Sequence, residues 1–207
     1  LDAVMYLENI TSFKGNPYTE IAYSELALIY YNQGNYVNAE RYYAEVYQIA
    51  HNIDMKIDAM LRAMNAAYEV KNYAKTITWA TLVKDNEQTT EDEKTEAIYL
   101  MANCYQNIED YNNSSILFNE ISQRNQGEIG YKAKYFEAEN YFNLEAINES
   151  ESTLNDLFKR KPSFAYWKVK GYILIADILL AKGDTTQSKI TLESIVNNYK
   201  GEDLKQI

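Results

Sequence analysis

The chain has 207 residues with 30 Asp or Glu and 20 Lys or Arg, so its formal net charge is −10 at pH 7. This acidic balance argues against nucleic-acid binding, because contacts with phosphates require clustered Lys and Arg. The single Cys and single His exclude a disulfide framework within the chain, a Cys-based zinc site and a multi-His metal centre. The sequence therefore predicts no catalytic residues, no metal site and no cofactor, and we expect a protein that is not an enzyme.

The first elements along the chain already show a repeat. In Tyr23–Val46 and again in Ile98–Ile121, apolar residues recur three or four positions apart on either side of a polar turn. This is the period of amphipathic helices, and it predicts a pair of helices in each stretch. One small residue marks the second helix of every pair at intervals of 36 to 38 residues, at Ala3, Ala39, Thr76, Ser114, Ser150 and Ser188.

The pattern predicts eleven helices, with ends that coincide with helix-breaking and capping residues. Gly34 and Gly183 stand where a left-handed residue ends a helix, and Thr90 with Glu93 forms a capping box that begins one. The expected helices span 1–13, 18–32, 36–51, 54–70, 73–86, 91–107, 111–124, 128–143, 147–160, 163–181 and 185–199.

A single pair of amphipathic helices cannot bury its apolar stripe, so the pairs are expected to stack on their neighbours. Small residues such as Ala27, Ala102 and Ala138 would allow close helix contacts, while Tyr43 and Phe118 would fill the groove opposite. The expected fold is all-α, a single array over 1–207. It would consist of the second helix of a truncated unit at 1–13 and full units at 18–51, 54–86, 91–124, 128–160 and 163–199.

These residues resemble the tetratricopeptide repeat, whose pattern is W-x2-L-G-x2-Y, then A-x3-F and a terminal P. Here Leu26, Tyr30 and Ala39 match, Tyr43 stands at the Phe place, and only Pro162 matches the terminal Pro. The longer period is similar to that of bacterial envelope members of the family. The resemblance implies a right-handed superhelical solenoid whose first helices line a concave groove. It also implies a non-catalytic scaffold for protein–protein interaction.

Residues of the first helices that lie off the core stripe are the candidates for partner binding. They are Tyr31, Asn32, Asn65, Tyr68, Glu69, Tyr99, Asn103, Gln106, Tyr135, Glu139 and Phe142. Asn65 and Asn103 occupy equivalent places and could pair with the backbone of an extended peptide. Alternatively, the Asn side chains are merely solvated and the Tyr side chains pack between helix pairs. The rows that would carry the Lys and Arg of the family's carboxylate clamp lack them, so we do not expect a binder of that kind.

The expected partner is a peptide or protein segment that is basic or neutral, because Glu69, Glu96, Glu139 and Asp177 would make the groove acidic. Alternatively, the acidity only keeps the protein soluble. No apolar run approaches the ~20 residues of a transmembrane helix, so no transmembrane segment is expected. The sequence leaves the compartment open between the cell envelope or periplasm and the cytoplasm of a bacterium.

A second functional hypothesis is a sensor or dimerisation module excised from a larger bacterial regulatory or envelope protein. The half-unit at Leu1–Phe13 suggests it, as does an end at 200–207 without a polar capping helix. Uncapped array ends would expose apolar surface, which favours self-association.

Overall fold

The computed structural model describes residues 2–13 and 15–201, which form eleven α-helices and no strand. The helices are α1 (Asp2–Ser12), α2 (Thr19–Asn32), α3 (Tyr36–Ile49), α4 (Ile53–Glu69), α5 (Tyr73–Asp85), α6 (Glu91–Asn107), α7 (Tyr111–Arg124), α8 (Glu128–Asn143), α9 (Ile147–Lys159), α10 (Ala165–Ala181) and α11 (Thr185–Asn198). Each end lies within two residues of the expected one. The all-α fold class is confirmed. The expected absence of a capping helix falls largely on 202–207, outside the described residues.

The helices fall into two compact units, one ending at Cys104 and the other beginning at Tyr105. In the first unit, α1 to α5 pack in chain order, each against the next. In the second unit, α7 to α11 do the same, and α8 also contacts α10. Each unit is thus built from antiparallel helix pairs. That residues 1–207 form one array with the expected repeat bounds stays a prediction. Among the described helices, none is long and apolar enough to cross a membrane.

Small residues at the repeat positions lie in the core. Those of the first helices α2, α6, α8 and α10 have no exposed surface, namely Ala27, Ala102, Ala138 and Ala176, whereas the equivalent residue of α4 is the larger Met64, which is also fully buried. Those of the second helices are at most 1% exposed, namely Ala39, Thr76, Ser114, Ser150 and Ser188. The absence of a bulky side chain at these places permits the close approach of neighbouring helices. Ala3, the expected equivalent in α1, is exposed instead.

The turn within each pair repeats one backbone geometry. A residue with positive φ follows each first helix, at Gly34, Lys71, Glu109, Glu145 and Gly183. The next residue donates its N–H to the carbonyl five positions back, as in the 2.9 Å bond from Asn35 N to Tyr30 O. This arrangement satisfies carbonyl groups that the end of a helix leaves without partners.

The same turns also begin the second helices. The side chains of Asn35, Asn72, Asp110 and Asp184 accept a hydrogen bond from the N–H three residues later, as N-caps do. Ala146 occupies the equivalent place before α9 and has no side chain that can do so. Four of these five turns therefore carry a side-chain cap, and the turn before α9 does not.

The capping box before α6 is formed as expected. Glu93 N donates to Thr90 Oγ1 over 3.2 Å, and Thr90 N donates to Glu93 Oε2 over 2.8 Å. Two N–H groups at the start of the helix are thereby satisfied.

Candidate functional site

In the first unit, the candidate residues come from three first helices. Tyr31 and Asn32 lie on α2, Asn65, Tyr68 and Glu69 on α4, and Tyr99 and Asn103 on α6. Asn32 and Glu69 are exposed, and the other five are half-buried. All seven side chains therefore retain surface that a partner could contact.

Tyr31 packs against two other aromatic rings of the first unit. Its ring lies 5.1 Å from that of Tyr36 and 6.4 Å from that of Tyr43, edge to face in both cases. Burial raises the pKa of Tyr31, and the nearby Tyr36 and Glu69 raise it further. The influence of Glu69 shows that residues of α2 and α4 face the same region.

Side chains of α4 and α6 also meet. Asn65 Nδ2 lies 3.5 Å from Glu96 Oε1, and Asn103 Nδ2 donates to the Tyr99 carbonyl oxygen over 2.9 Å. Burial is the largest cause that raises the pKa of Tyr68, followed by Cys104 and Tyr99. The Asn103 amide is thus already oriented by Tyr99, which lowers the entropy lost when it binds, while the 3.5 Å contact to Glu96 leaves the Asn65 amide free to turn.

The second unit joins its candidate residues in a hydrogen-bond network. Gln106 Nε2 donates to Glu139 Oε2 and to Asn140 Oδ1, both over 3.0 Å. Tyr135 donates its hydroxyl proton to Glu139 Oε1 over 2.8 Å, and Asn140 Nδ2 donates to Ser114 Oγ over 2.7 Å. Asn140 is fully buried and Tyr135 is 4% exposed. Tyr135 therefore orients Glu139 and offers a partner little contact area of its own.

Electrostatics in this network favour a neutral tyrosine beside a carboxylate. Burial raises the pKa of Tyr135 strongly, and the charge of Glu139 raises it further. Burial also raises the pKa of the Asp177 carboxyl group. The hydroxyl of Tyr135 consequently stays protonated and can donate to Glu139.

An aromatic cluster with two lysines lies beside the network. The Trp167 ring is 5.8 Å from that of Tyr135 and 5.7 Å from that of Phe136. Lys132 Nζ lies 5.5 Å from the Trp167 ring centre, and Lys170 Nζ lies 5.6 Å from the Tyr135 ring centre. These are cation–π distances. The sequence analysis did not single out Trp167, whose only signal was its position on a predicted first helix.

The remaining candidate, Phe142, is half-buried and packs against the core of the second unit. The structure thus brings together Gln106, Tyr135 and Glu139 in this unit, while Phe142 has mainly a packing role.

The last helix pair exposes apolar side chains. In α11, Ile190 is 51%, Leu192 is 40% and Val196 is 66% exposed. Leu192 is the repeat equivalent of Phe118, which has no exposed surface. A cleft of about 680 Å³ lies between α10 and α11, with Tyr172 and Ile190 in its wall.

Comparison with known proteins identifies the repeat. Residues 21–52 match the model of the tetratricopeptide repeat family. No curated protein shows significant sequence similarity to the chain.

Solved structures with a similar fold are also repeat proteins. MamA from Desulfovibrio magneticus RS-1 has a TM-score of 0.64 and 13% identity, over 86% of this chain and 93% of that one. The tetratricopeptide-like repeats of a putative kinesin light chain from Podosopora anserina have a TM-score of 0.63 and 12% identity, over 89% of this chain and 96% of that one. At such identities the similarity concerns the fold alone. Residues 21–52 are thus a tetratricopeptide repeat, and the chain has the fold of tetratricopeptide-like repeat proteins, as its sequence predicts.

Proposed function

We propose that this protein is a non-catalytic scaffold that binds a peptide or protein segment on the face formed by its first helices. The observation that carries the proposal is that polar side chains from successive first helices approach one another. Asn65 on α4 meets Glu96 on α6 in the first unit, and Gln106 on α6 meets Glu139 on α8 in the second. The repeat fold supports the proposal in general terms, since stacked helix pairs provide extended binding surfaces.

The proposed partner is an extended segment with basic or neutral character. Glu69 and Glu96 are exposed on this face, and a negative potential attracts basic segments and speeds their association. Asn65 and Asn103 would hydrogen-bond to the backbone of the segment, because an amide both donates and accepts. Tyr68 and Tyr99 would supply rigid contact area beside them.

The test is a comparison of partner binding between variants. Proteins captured by the immobilised chain are identified, and the affinity of the best one is measured by calorimetry for the wild type and for Asn65→Ala with Asn103→Ala. We expect the double variant to weaken binding by about tenfold, that is by about 1.4 kcal/mol. Asn155→Ala, an exposed Asn on the second helix α9, is the matched control and should leave affinity unchanged. Unaltered affinity in the double variant would show that the amides take no part.

The alternative, a dimerisation module, is favoured by the exposed apolar residues of α11. Ile190 and Val196 would lose water contact if a second copy covered them. Sedimentation at micromolar concentrations distinguishes the two hypotheses: a mass that rises with concentration and is restored to the monomer by Val196→Glu supports dimerisation. A monomer at every concentration excludes it.

A further inference from the structure

Two helices, α1 and α11, expose apolar stripes among the described residues. The α1 stripe consists of Met5 and Tyr6, each 68% exposed, and of Phe13 just after the helix, which is 61% exposed. The α11 stripe consists of Leu192 and Val196, which line a cleft of about 480 Å³ together with the end of α10. Each stripe would be stabilised if a second surface removed it from water.

The repeat shows what kind of element covers the α11 stripe elsewhere in the chain. Leu154 and Phe158 of α9 are the repeat equivalents of Leu192 and Val196. Leu154 has no exposed surface, and a Cβ added at Gly171 of α10 would lie 3.0 Å from Phe158. A helix thus packs closely on this face of α9. We therefore expect the equivalent face of α11 to receive a helix as well.

The α1 stripe also lacks the cover that its repeat equivalent has. Tyr42 of α3 stands at the place of Tyr6 and is only 7% exposed. Its ring lies 5.6 Å from that of Tyr30 and 6.0 Å from that of Tyr23, both on α2. An exposed Tyr is suited to enter a cleft on another molecule, because its side chain is rigid and has a large apolar area.

Charge distinguishes the ways in which these stripes could meet. Residues 1–51 contain six acidic and two basic side chains, a net charge of −4, whereas residues 161–200 contain six Lys and three acidic side chains, a net charge of +3. The α1 helix itself carries Asp2 and Glu8 and no basic residue. Two α1 stripes or two α11 stripes would bring like charges together, while one of each brings opposite charges together.

We propose that the protein associates head to tail, with the α1 stripe of one copy packed on the α11 stripe of the next. Tyr6 of one copy enters the cleft beside Leu192 and Val196 of the other. Because the contact joins two different surfaces, each added copy leaves one surface open and the assembly continues beyond a dimer. This inference rests on the self-association alternative above, whose contact it names, and does not involve the first-helix face.

The first test is the mass of the full chain as a function of concentration, measured by analytical ultracentrifugation. A contact of few side chains is weak, so we expect monomers at about 1 μM and species larger than dimers at about 200 μM. Tyr6→Glu and Val196→Glu should each abolish assembly, because each buries a charge in the apolar contact. Ile116→Glu, at a 64% exposed Ile of α7, is the matched control and should assemble as the wild type does. A wild-type chain that stays monomeric would overturn the proposal.

An equimolar mixture of the two variants tests the head-to-tail geometry. Tyr6→Glu keeps an intact α11 stripe and Val196→Glu keeps an intact α1 stripe, so the mixture should form a 1:1 dimer and nothing larger. Recovery of this dimer would also show that both variants are folded. A mixture that stays monomeric would overturn the proposal. Dimers of Tyr6→Glu alone would overturn it too and would indicate a contact between two α11 stripes.

Salt tests the contribution of charge to this contact. Raising the NaCl concentration from about 50 mM to about 500 mM should weaken wild-type assembly by about threefold or more, because opposite charges are screened. Assembly that is unchanged or stronger at high salt would contradict the pairing of an acidic with a basic segment.

The failure of this inference is distinguishable from failure of the proposed function. If the wild-type chain stays monomeric but a captured partner depends on Asn65 and Asn103, the scaffold function stands and the head-to-tail contact is wrong. If the chain assembles as described and no partner depends on those amides, self-association stands and the first-helix face is wrong as the main contact surface.

Discussion

The side-chain amide of Gln106 donates to the Glu139 carboxylate over 3.0 Å, and so connects the last turn of α6 with α8 inside the second unit. Tyr135 donates to the other oxygen of the same carboxylate over 2.8 Å. Glu139 is thus fixed from two sides, which orients a charged group on the proposed binding face.

This relationship predicts an energetic coupling between the two residues. Gln106→Ala and Glu139→Ala should each lower the free energy of unfolding by about 1–2 kcal/mol, because each leaves a half-buried polar partner unsatisfied. The double variant should lose less than the sum, with a coupling of about 0.5–1.5 kcal/mol. Urea unfolding of the four proteins measures it. Strict additivity would mean that the hydrogen bond does not contribute to stability.

The missing cap before α9 predicts a stabilising substitution. Ala146→Asp should raise the free energy of unfolding by about 0.5–1 kcal/mol, because an Asp side chain could accept from the Glu149 N–H as its equivalents do. Thermal unfolding should show a rise of about 1–4 °C. The reverse change at an equivalent turn, Asp184→Ala, should lower Tm by a similar amount. A fall in Tm for Ala146→Asp would show that an Asp at this position does not act as an N-cap.

The ring positions of the second helices predict a large loss on truncation. Tyr43→Ala and Phe118→Ala should each cost about 3–5 kcal/mol, since both rings are buried and their removal leaves a cavity. Tyr43→Phe should cost nothing or stabilise, because it removes only a buried hydroxyl that forms no hydrogen bond among the described residues. Guanidinium unfolding measures all three. A cost above about 2 kcal/mol for Tyr43→Phe would show that the hydroxyl has an intramolecular partner.

Buried ionisable groups predict a loss of stability at alkaline pH. Burial raises the pKa of the Cys104 thiol to about 11, and burial with a hydrogen bond to Glu8 raises the pKa of Tyr42 to about 12. In the unfolded chain both groups ionise at lower pH, so the unfolded state binds fewer protons and stability falls as pH rises from about 8.5 toward 12. Each group contributes up to about 1.4 kcal/mol per pH unit in its window.

The measurement for this prediction is the free energy of unfolding between pH 7 and 11. Cys104→Ala is the control, because Ala66 occupies the equivalent place in α4 and is fully buried. The variant should lose stability less steeply above the pKa of an unfolded thiol. An identical pH dependence in the two proteins would contradict the role of the buried thiol.

The fold was predictable because its determinants are local. Apolar residues three and four apart define each helix, and Gly34, Gly183 and the Thr90–Glu93 box mark helix ends within the same few residues. The positive φ of Lys71, Glu109 and Glu145 was not predicted, because these residue types seldom adopt it. Only their position in the repeat indicates this backbone conformation.

The site was predictable only as a face. Asn65, Tyr68 and Glu139 lie on the expected first helices, because the helical period is readable in the sequence, but their role as a binding face stays a prediction. Contacts between helices, such as Gln106 with Asn140, depend on side-chain reach and could not be derived from spacing. The cavity between α2, α3 and α4 is likewise formed by three helices, so the residues of any one helix could not predict it.

The most direct test of the scaffold function is a panning experiment with a random-peptide display library against the wild-type chain. Affinities of the enriched peptides are then measured for Asn32→Lys with Glu69→Lys on the first helices, and for Glu45→Lys with Asn155→Lys on the second helices. All four residues are exposed, so each pair should leave the fold intact. We predict enriched peptides whose affinity falls by about tenfold or more only in the first-helix variant. Peptides whose affinity falls only in the second-helix variant, or in neither variant, would contradict binding on the proposed face.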